Sequence, residues 1–192
     1  MTLPNKLTCL RIGLTFIVMA LLFMAGWLAK AAAFACFLVA GATDWLDGYL
    51  ARRWRETSDF GALLDPIADK VLVLGTFLAF VQLRRVPAWM VLIIVCRELL
   101  ITSVRLFAAS RHLVLPAAKE GKHKTVSQMV TLVVIFTVLI VEELPDGASV
   151  AARSMMAWTV LGCLWVTTAL TVVSGTSFFR RHWAVLRDAL GR

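Results

Sequence analysis

The chain has 192 residues, 60% of them hydrophobic and 17% charged, with a mean hydropathy of +0.81. So little polar surface cannot cover a water-soluble domain of this size, and the same composition excludes intrinsic disorder. The net charge of +8 is no nucleic-acid footprint, because the basic residues fall in short blocks between long apolar runs. An anionic membrane face or a phosphorylated substrate suits them better.

The chain opens on Leu3-Pro4-Asn5-Lys6-Leu7-Thr8-Cys9-Leu10-Arg11, whose leucines are spaced to line one side of a helix. That pattern predicts a short N-terminal helix lying in the membrane interface, a plain polar leader being the alternative. Stretches long enough to cross roughly 30 Å of hydrocarbon follow. There are six of them, near 12–29, 32–50, 63–82, 86–109, 125–142 and 154–174. A cleaved leader does not account for the first, which is long enough to cross and is followed by five more. The expected fold class is therefore an all-α integral membrane protein with six transmembrane helices. No internal repeat or low-complexity tract interrupts it, so a single domain over 1–192 is expected. Cys9, Cys36, Cys96 and Cys163 lie scattered without metal-ligand or disulfide-framework spacing and read as reduced packing residues.

Outside the spans, thirteen Lys and Arg fall on one side, among them Lys6, Arg52, Arg53, Arg111, Lys119, Lys122 and Arg180, against four on the other, Lys30, Arg84, Arg85 and Arg153. The positive-inside bias places both termini, the 51–62 loop and the 110–124 loop in the cytoplasm. Arg180 and Arg181 then read as interface anchors of the last helix, and Trp158, Trp165 and Trp183 as packing or aromatic-belt residues.

Charge inside the spans is costly and by default marks function. The first cluster is DWLDGYLARRWRETSDFGALLDPIAD, residues 44–69. On a helix, Asp44, Asp47, Gly48 and Ala51 share about one third of the circumference, and Gly61, Asp65 and Asp69 follow at intervals of four. Four converging carboxylates repel one another strongly at low dielectric, which calls for something divalent between them. Oxygen donors without His or Cys suit Mg²⁺ or Mn²⁺ rather than zinc. Small neighbours leave room for a bulky ligand, and Arg52 is placed to grip phosphate oxygens. A solvated rim in which the aspartates pair with Arg52, Arg53, Arg55 and Lys70 is the plain alternative.

The run Asp44-x-x-Asp47-Gly48-x-x-Ala51-Arg52, eight residues, then Gly61-x-x-x-Asp65-x-x-x-Asp69 resembles the signature of the CDP-alcohol phosphatidyltransferase family at all eight fixed positions. The resemblance implies a fold of six membrane helices, a homodimer, and a site for two Mg²⁺ or Mn²⁺ ions. It makes Asp44, Asp47 and Asp65 metal ligands, and Asp69 both a ligand and the general base on the acceptor hydroxyl. Gly48, Ala51, Arg52 and Gly61 would line the pocket for CDP-diacylglycerol, with Arg52 on the phosphates.

The second cluster is Arg97-Glu98 and Arg105 in the fourth span, then Arg111 and Lys119-Glu120-Gly121-Lys122-His123-Lys124-Thr125. Arg97 sits near mid-span and must face a partner or a polar cavity; the plain partner is Glu98, or Lys70 and Asp69 across the bundle. Arg97 and Arg105 lie roughly 80° and about 12 Å apart on a helix, so both can line one cavity. The segments LPNKLTCLRI, CRELLITSVR and GKHKTVSQM, which with the main motif run across residues 3–129, are similar to the branch of the family whose acceptor is glycerol 3-phosphate. By that resemblance Arg97, Arg105, Arg111, Lys122, Lys124 and Thr125 surround the glycerol phosphate, while Asn5 and Thr8 lie near the nucleotide.

The sequence therefore reads as an enzyme that moves a phosphatidyl group from CDP-diacylglycerol to glycerol 3-phosphate and releases CMP, in a bacterial inner (plasma) membrane with its active site on the cytoplasmic face. One rival keeps the chemistry and changes the acceptor to serine, inositol phosphate or phosphatidylglycerol. Another is an ion or phosphate transporter, against which stands the unlikeness of the two halves.

Overall fold

The computed structural model describes residues 3–54, 59–110, 120–145 and 148–190, with side chains described except at 3–8, 44–54, 59–69, 120–122, 184–186 and 188–190. Among the described residues the secondary structure is six α-helices and no strand. They are α1 (Leu3–Phe23), α2 (Trp27–Trp54), α3 (Asp59–Gln82), α4 (Ala88–Ser110), α5 (Glu120–Glu142) and α6 (Val150–Leu190).

Two expectations need correcting. There is no separate N-terminal interfacial helix, because Leu3 to Phe23 is one continuous α1. The span expected at 12–29 is broken at Met24–Gly26, where Gly26 takes φ 100°, a left-handed value open to glycine and strained for other residues. The Gly26 carbonyl then starts α2 by accepting from Ala29 and Lys30. Lys30, counted outside the spans, lies inside α2 and turns back. Its Nζ donates to the carbonyls of Leu22 and Met24, both at 2.6 Å, and pairs with Glu143 at 3.3 Å. A cation on the last carbonyls of α1 satisfies acceptors that the helix itself leaves open.

The core is built on Phe136 of α5. Its ring lies 5.2 Å from Phe34 and 5.3 Å from Phe37 of α2, and 5.1 Å from Phe80 of α3. Around these pack Val18 and Leu22 of α1, Leu72 and Phe77 of α3, Met90 and Ile94 of α4, and Leu164 of α6, all buried. Gly75 brings α3 against α1, since a Cβ there would lie 2.9 Å from Thr15 Cγ2. The α5–α6 seam is polar: Thr131 and Thr167 hydroxyls bond at 2.8 Å, and Thr131 Oγ1 also reaches the Cys163 carbonyl at 3.3 Å. Small hydroxyl residues of this kind let helices approach closely and bond across the gap where no water competes.

Around this apolar core, several charges are buried while many large apolar side chains face outward. Phe16, Leu28, Leu92 and Trp158 are between 61% and 71% exposed, while Arg11, Lys30, Glu98 and Lys124 are between 1% and 6% exposed. A protein solvated by lipid keeps its charges inward and its apolar side chains outward. Two stretches, His123–Glu142 and Val150–Trp183, are each long and apolar enough to cross a bilayer; Cys9–Phe23, Trp27–Thr43 and Lys70–Gln82 are shorter apolar segments. The four cysteines are free thiols; Cys36 and Cys163 are half-buried, whereas Cys9 and Cys96, expected to pack, are exposed. The last helix runs well beyond residue 174, carrying Arg180, Arg181 and Trp183, all exposed, on helical backbone.

Candidate functional site

Asp44 and Asp47 lie three residues apart near the C-terminal end of α2, with Gly48, Ala51 and Arg52 following on the same helix. Gly61, Asp65 and Asp69 lie at four-residue intervals on the first part of α3, which stays helical through Pro66. The two helices are consecutive and in contact. Asn5 and Thr8 lie on α1. The side chains of all these residues, and that of Lys122 on α5, fall outside the described set, as does Arg111 altogether. Among the described residues no group of three or more His, Cys, Asp or Glu lies together in a way that could hold a metal ion. The motif offers carboxylate oxygens alone, and that donor chemistry fits Mg²⁺ or Mn²⁺.

The described part of the site begins one residue beyond the motif, at Lys70. Its Nζ lies 3.3 Å from Glu98 Oε2, and the same carboxylate takes Arg97 Nη1 at 3.2 Å and the ammonium of Lys124 on its other oxygen. One buried carboxylate thus gathers three cations from α3, α4 and α5. Lys124 and Glu98 are nearly withdrawn from solvent, Lys70 less so. A cavity of about 50 Å³ sits among Lys70, Glu98, Lys124, Thr125 and Gln128. That is room for water and not for a phosphate ester. The expectation of Arg97 beside a partner is met by Glu98, while the Lys70 ammonium turns to that same carboxylate.

The sixth helix completes this region, and sequence reasoning missed it. Arg97 Nη2 donates to Ser174 Oγ at 2.7 Å, a contact spanning 77 positions of sequence. Next to it, a Cβ at Gly175 would lie 3.2 Å from Arg97 Cγ, so the glycine lets the arginine stem lie close along α6. One turn further on, Phe178 carries the Arg105 guanidinium 5.5 Å from its ring centroid, a cation–π distance. His182, a turn beyond, stacks on Phe178 at 4.6 Å, with its Nδ1 3.0 Å from the Phe178 carbonyl. Ser174, Phe178 and His182 fall at four-residue intervals, a stripe legible in the sequence as polar and aromatic positions on one face. Arg97 and Arg105 therefore both lean on α6, and Arg105 is the exposed one, its head available to a ligand.

Residues 1–173 match the CDP-alcohol phosphatidyltransferase family. The chain belongs to that family. It is 35% identical to the CDP-diacylglycerol--glycerol-3-phosphate 3-phosphatidyltransferase of Bacillus subtilis, with 97% of this chain and 98% of the relative aligned. It is 32% identical to the protein of the same name from Cereibacter sphaeroides, again over 97% and 98%. A cardiolipin synthase (CMP-forming) from Oryza sativa is 32% identical over 97% of this chain and 59% of its own length. Membership makes the chain a phosphotransferase of membrane lipid metabolism, and the transporter reading falls away.

Proposed function

We propose that the protein transfers the phosphatidyl group of CDP-diacylglycerol to the hydroxyl of sn-glycerol 3-phosphate, giving phosphatidylglycerophosphate and CMP. The observation that carries the choice of acceptor is the cluster beginning at Lys70, directly after Asp69. Lys70, Arg97 and Lys124 converge on one carboxylate, and Arg105 stands exposed on the same helix as Arg97. A wall that carries an exposed arginine suits an anionic acceptor better than serine, which is zwitterionic overall.

In this reading Asp69 takes the proton from the acceptor hydroxyl. The hydroxyl oxygen attacks the phosphorus that carries the diacylglycerol, the new P–O bond forms, and the bond to the CMP phosphate breaks with its electron pair leaving on CMP. Arg52 holds the diphosphate oxygens, with Gly48, Ala51 and Gly61 keeping space for the nucleotide and Asn5 and Thr8 beside it. Two Mg²⁺ or Mn²⁺ ions held by Asp44, Asp47, Asp65 and Asp69 would supply neutralisation of the diphosphate charge. The phosphate of the acceptor is assigned in this reading to Arg105, Lys124, Thr125, Arg97, Lys122 and Arg111. Positioning and electrostatics account for most of the rate, and no covalent enzyme intermediate is required.

The same reading takes the chain as one membrane domain of six spans in a bacterial plasma membrane, a homodimer, with both termini and the site facing the cytoplasm. The charge asymmetry of the loops supports that orientation. A second reading, with phosphatidylglycerol as the acceptor, is favoured by the relative named as a cardiolipin synthase. Incubating purified protein with CDP-diacylglycerol and radiolabelled glycerol 3-phosphate tests the proposal: label moves into the lipid phase if it holds and stays in water if it fails.

A further inference from the structure

At the opposite end of the bundle, where α3 hands over to α4, a cavity of about 590 Å³ lies against α5 and α6, within the roughly 300–1,000 Å³ of small-molecule sites. Asp69 and Arg84 are fifteen residues apart, roughly 20 Å along a helix, so this cavity is separate from the aspartates. Its walls are apolar, with Ile135 and Leu139 from α5 and Val160, Leu161 and Leu164 from α6, and its charges are Arg84 and Arg85 from the α3–α4 connection and Glu142 from the end of α5. We propose that this groove binds one anionic phospholipid, with an acyl chain along the α5–α6 wall and the headgroup phosphate on Arg84.

Three observations carry the choice of occupant. The walls belong to the two stretches that are long and apolar enough to cross a bilayer, so a molecule reaching the groove from the membrane is a lipid. The charge balance at the mouth is positive. Arg85 is held by Glu142 at 2.6 Å, and the neighbouring Lys30–Glu143 pair is neutral, which leaves Arg84 as the charge lining the groove that has no counter-ion among the described residues. Among the described residues the Arg84 side chain is exposed and makes no ion pair or hydrogen bond.

The third observation is the backbone. Arg84 has φ 57°, the left-handed position closing α3. Its N–H donates to the Val81 carbonyl at 2.9 Å and the Arg85 N–H to Phe80 at 2.9 Å, the paired bonds of a Schellman turn, whose left-handed residue is usually glycine. An arginine stands where glycine fits better, so the turn carries backbone strain, and the arginine side chain stands at the mouth of the groove. Arg84→Gly therefore removes the guanidinium while easing the turn, which separates loss of binding from loss of fold.

The test is photolabelling of the full-length protein in detergent with phosphatidic acid carrying a diazirine on one acyl chain, against phosphatidylcholine with the same chains. Peptide mapping then locates the label. The proposal expects phosphatidic acid to label residues 135–139 and 157–164 in preference to phosphatidylcholine. Arg84→Gly should reduce that labelling about tenfold, the size of one charge-assisted hydrogen bond. Leu161→Trp, which fills the groove, should abolish it with the oligomeric state unchanged by size exclusion. Excess inorganic phosphate should leave it in place. Equal labelling by the two lipids, no effect of Arg84→Gly, displacement by inorganic phosphate, or a change of oligomeric state in Leu161→Trp would each overturn the proposal. Label at 44–69 reports the substrate site and is read separately, so the outcome does not depend on the acceptor assigned above.

Discussion

Replacing Glu98 with Gln removes the one carboxylate around which Lys70, Arg97 and Lys124 converge. The amide keeps the shape and one acceptor oxygen but points its NH₂ at a cation, so three positive groups remain in a region from which Glu98 and Lys124 are nearly excluded from water. Breaking a buried pair by deleting one partner costs about 3–5 kcal/mol. The partly solvated Lys70 side chain, 22% exposed, relaxes into water, which places Glu98→Gln near the lower end, about 3 kcal/mol. Lys70→Gln removes the most exposed of the three cations and leaves the carboxylate two partners, so it should cost less than Glu98→Gln. Both follow from unfolding of the purified protein by SDS in mixed micelles, monitored through its seven tryptophans. Equal losses for the two variants, or a loss below about 1 kcal/mol for Glu98→Gln, would refute the claim that this carboxylate holds α3, α4 and α5 together.

Chelation should abolish turnover reversibly, with Mg²⁺ or Mn²⁺ restoring it and Zn²⁺ restoring little, as CMP release would show. Asp69→Asn should lower kcat by at least about a hundredfold, the usual contribution of a general base, with donor binding weakened less than in Asp44→Asn; steady-state kinetics beside equilibrium binding of CDP-diacylglycerol checks both. Gly75→Ala should destabilise by about 1 kcal/mol, since crowding Thr15 Cγ2 at 2.9 Å outweighs the better helix propensity. Thr15 cannot rotate away without losing its 2.9 Å bond to the Arg11 carbonyl, so adding Thr15→Ser should restore the loss in the same SDS titration.

Helices three to five were legible because each is a long apolar run bounded by charge or proline: the expected 63–82, 86–109 and 125–142 became Asp59–Gln82, Ala88–Ser110 and Glu120–Glu142. The first boundary was not. Phe23, Met24, Ala25, Gly26 and Trp27 contain no polar residue, so hydropathy runs straight through a break made by one glycine dihedral and sealed by Lys30. The end of α6 was missed for the converse reason, since SGTSFFRRHW is too polar to count as a span and yet continues the helix. At the site, pairing of Arg97 with its neighbour Glu98 was one of the alternatives open from sequence, but Ser174, Gly175 and Phe178 stand some seventy positions away. Only the packing of α6 against α4 brings them to the arginines, and no local pattern encodes that.

The identity of the acceptor is the central claim, and competition measures it most directly. Purified protein is given CDP-diacylglycerol with glycerol 3-phosphate, serine, inositol phosphate and phosphatidylglycerol together, CMP release is followed, and the lipid products are resolved by mass. The account predicts phosphatidylglycerophosphate as the dominant product. It also predicts that Arg105→Gln, which removes the exposed guanidinium over Phe178, raises KM for glycerol 3-phosphate about tenfold with KM for CDP-diacylglycerol little changed. Cardiolipin or another lipid as the main product, or an equal loss of affinity for donor and acceptor in Arg105→Gln, would contradict it.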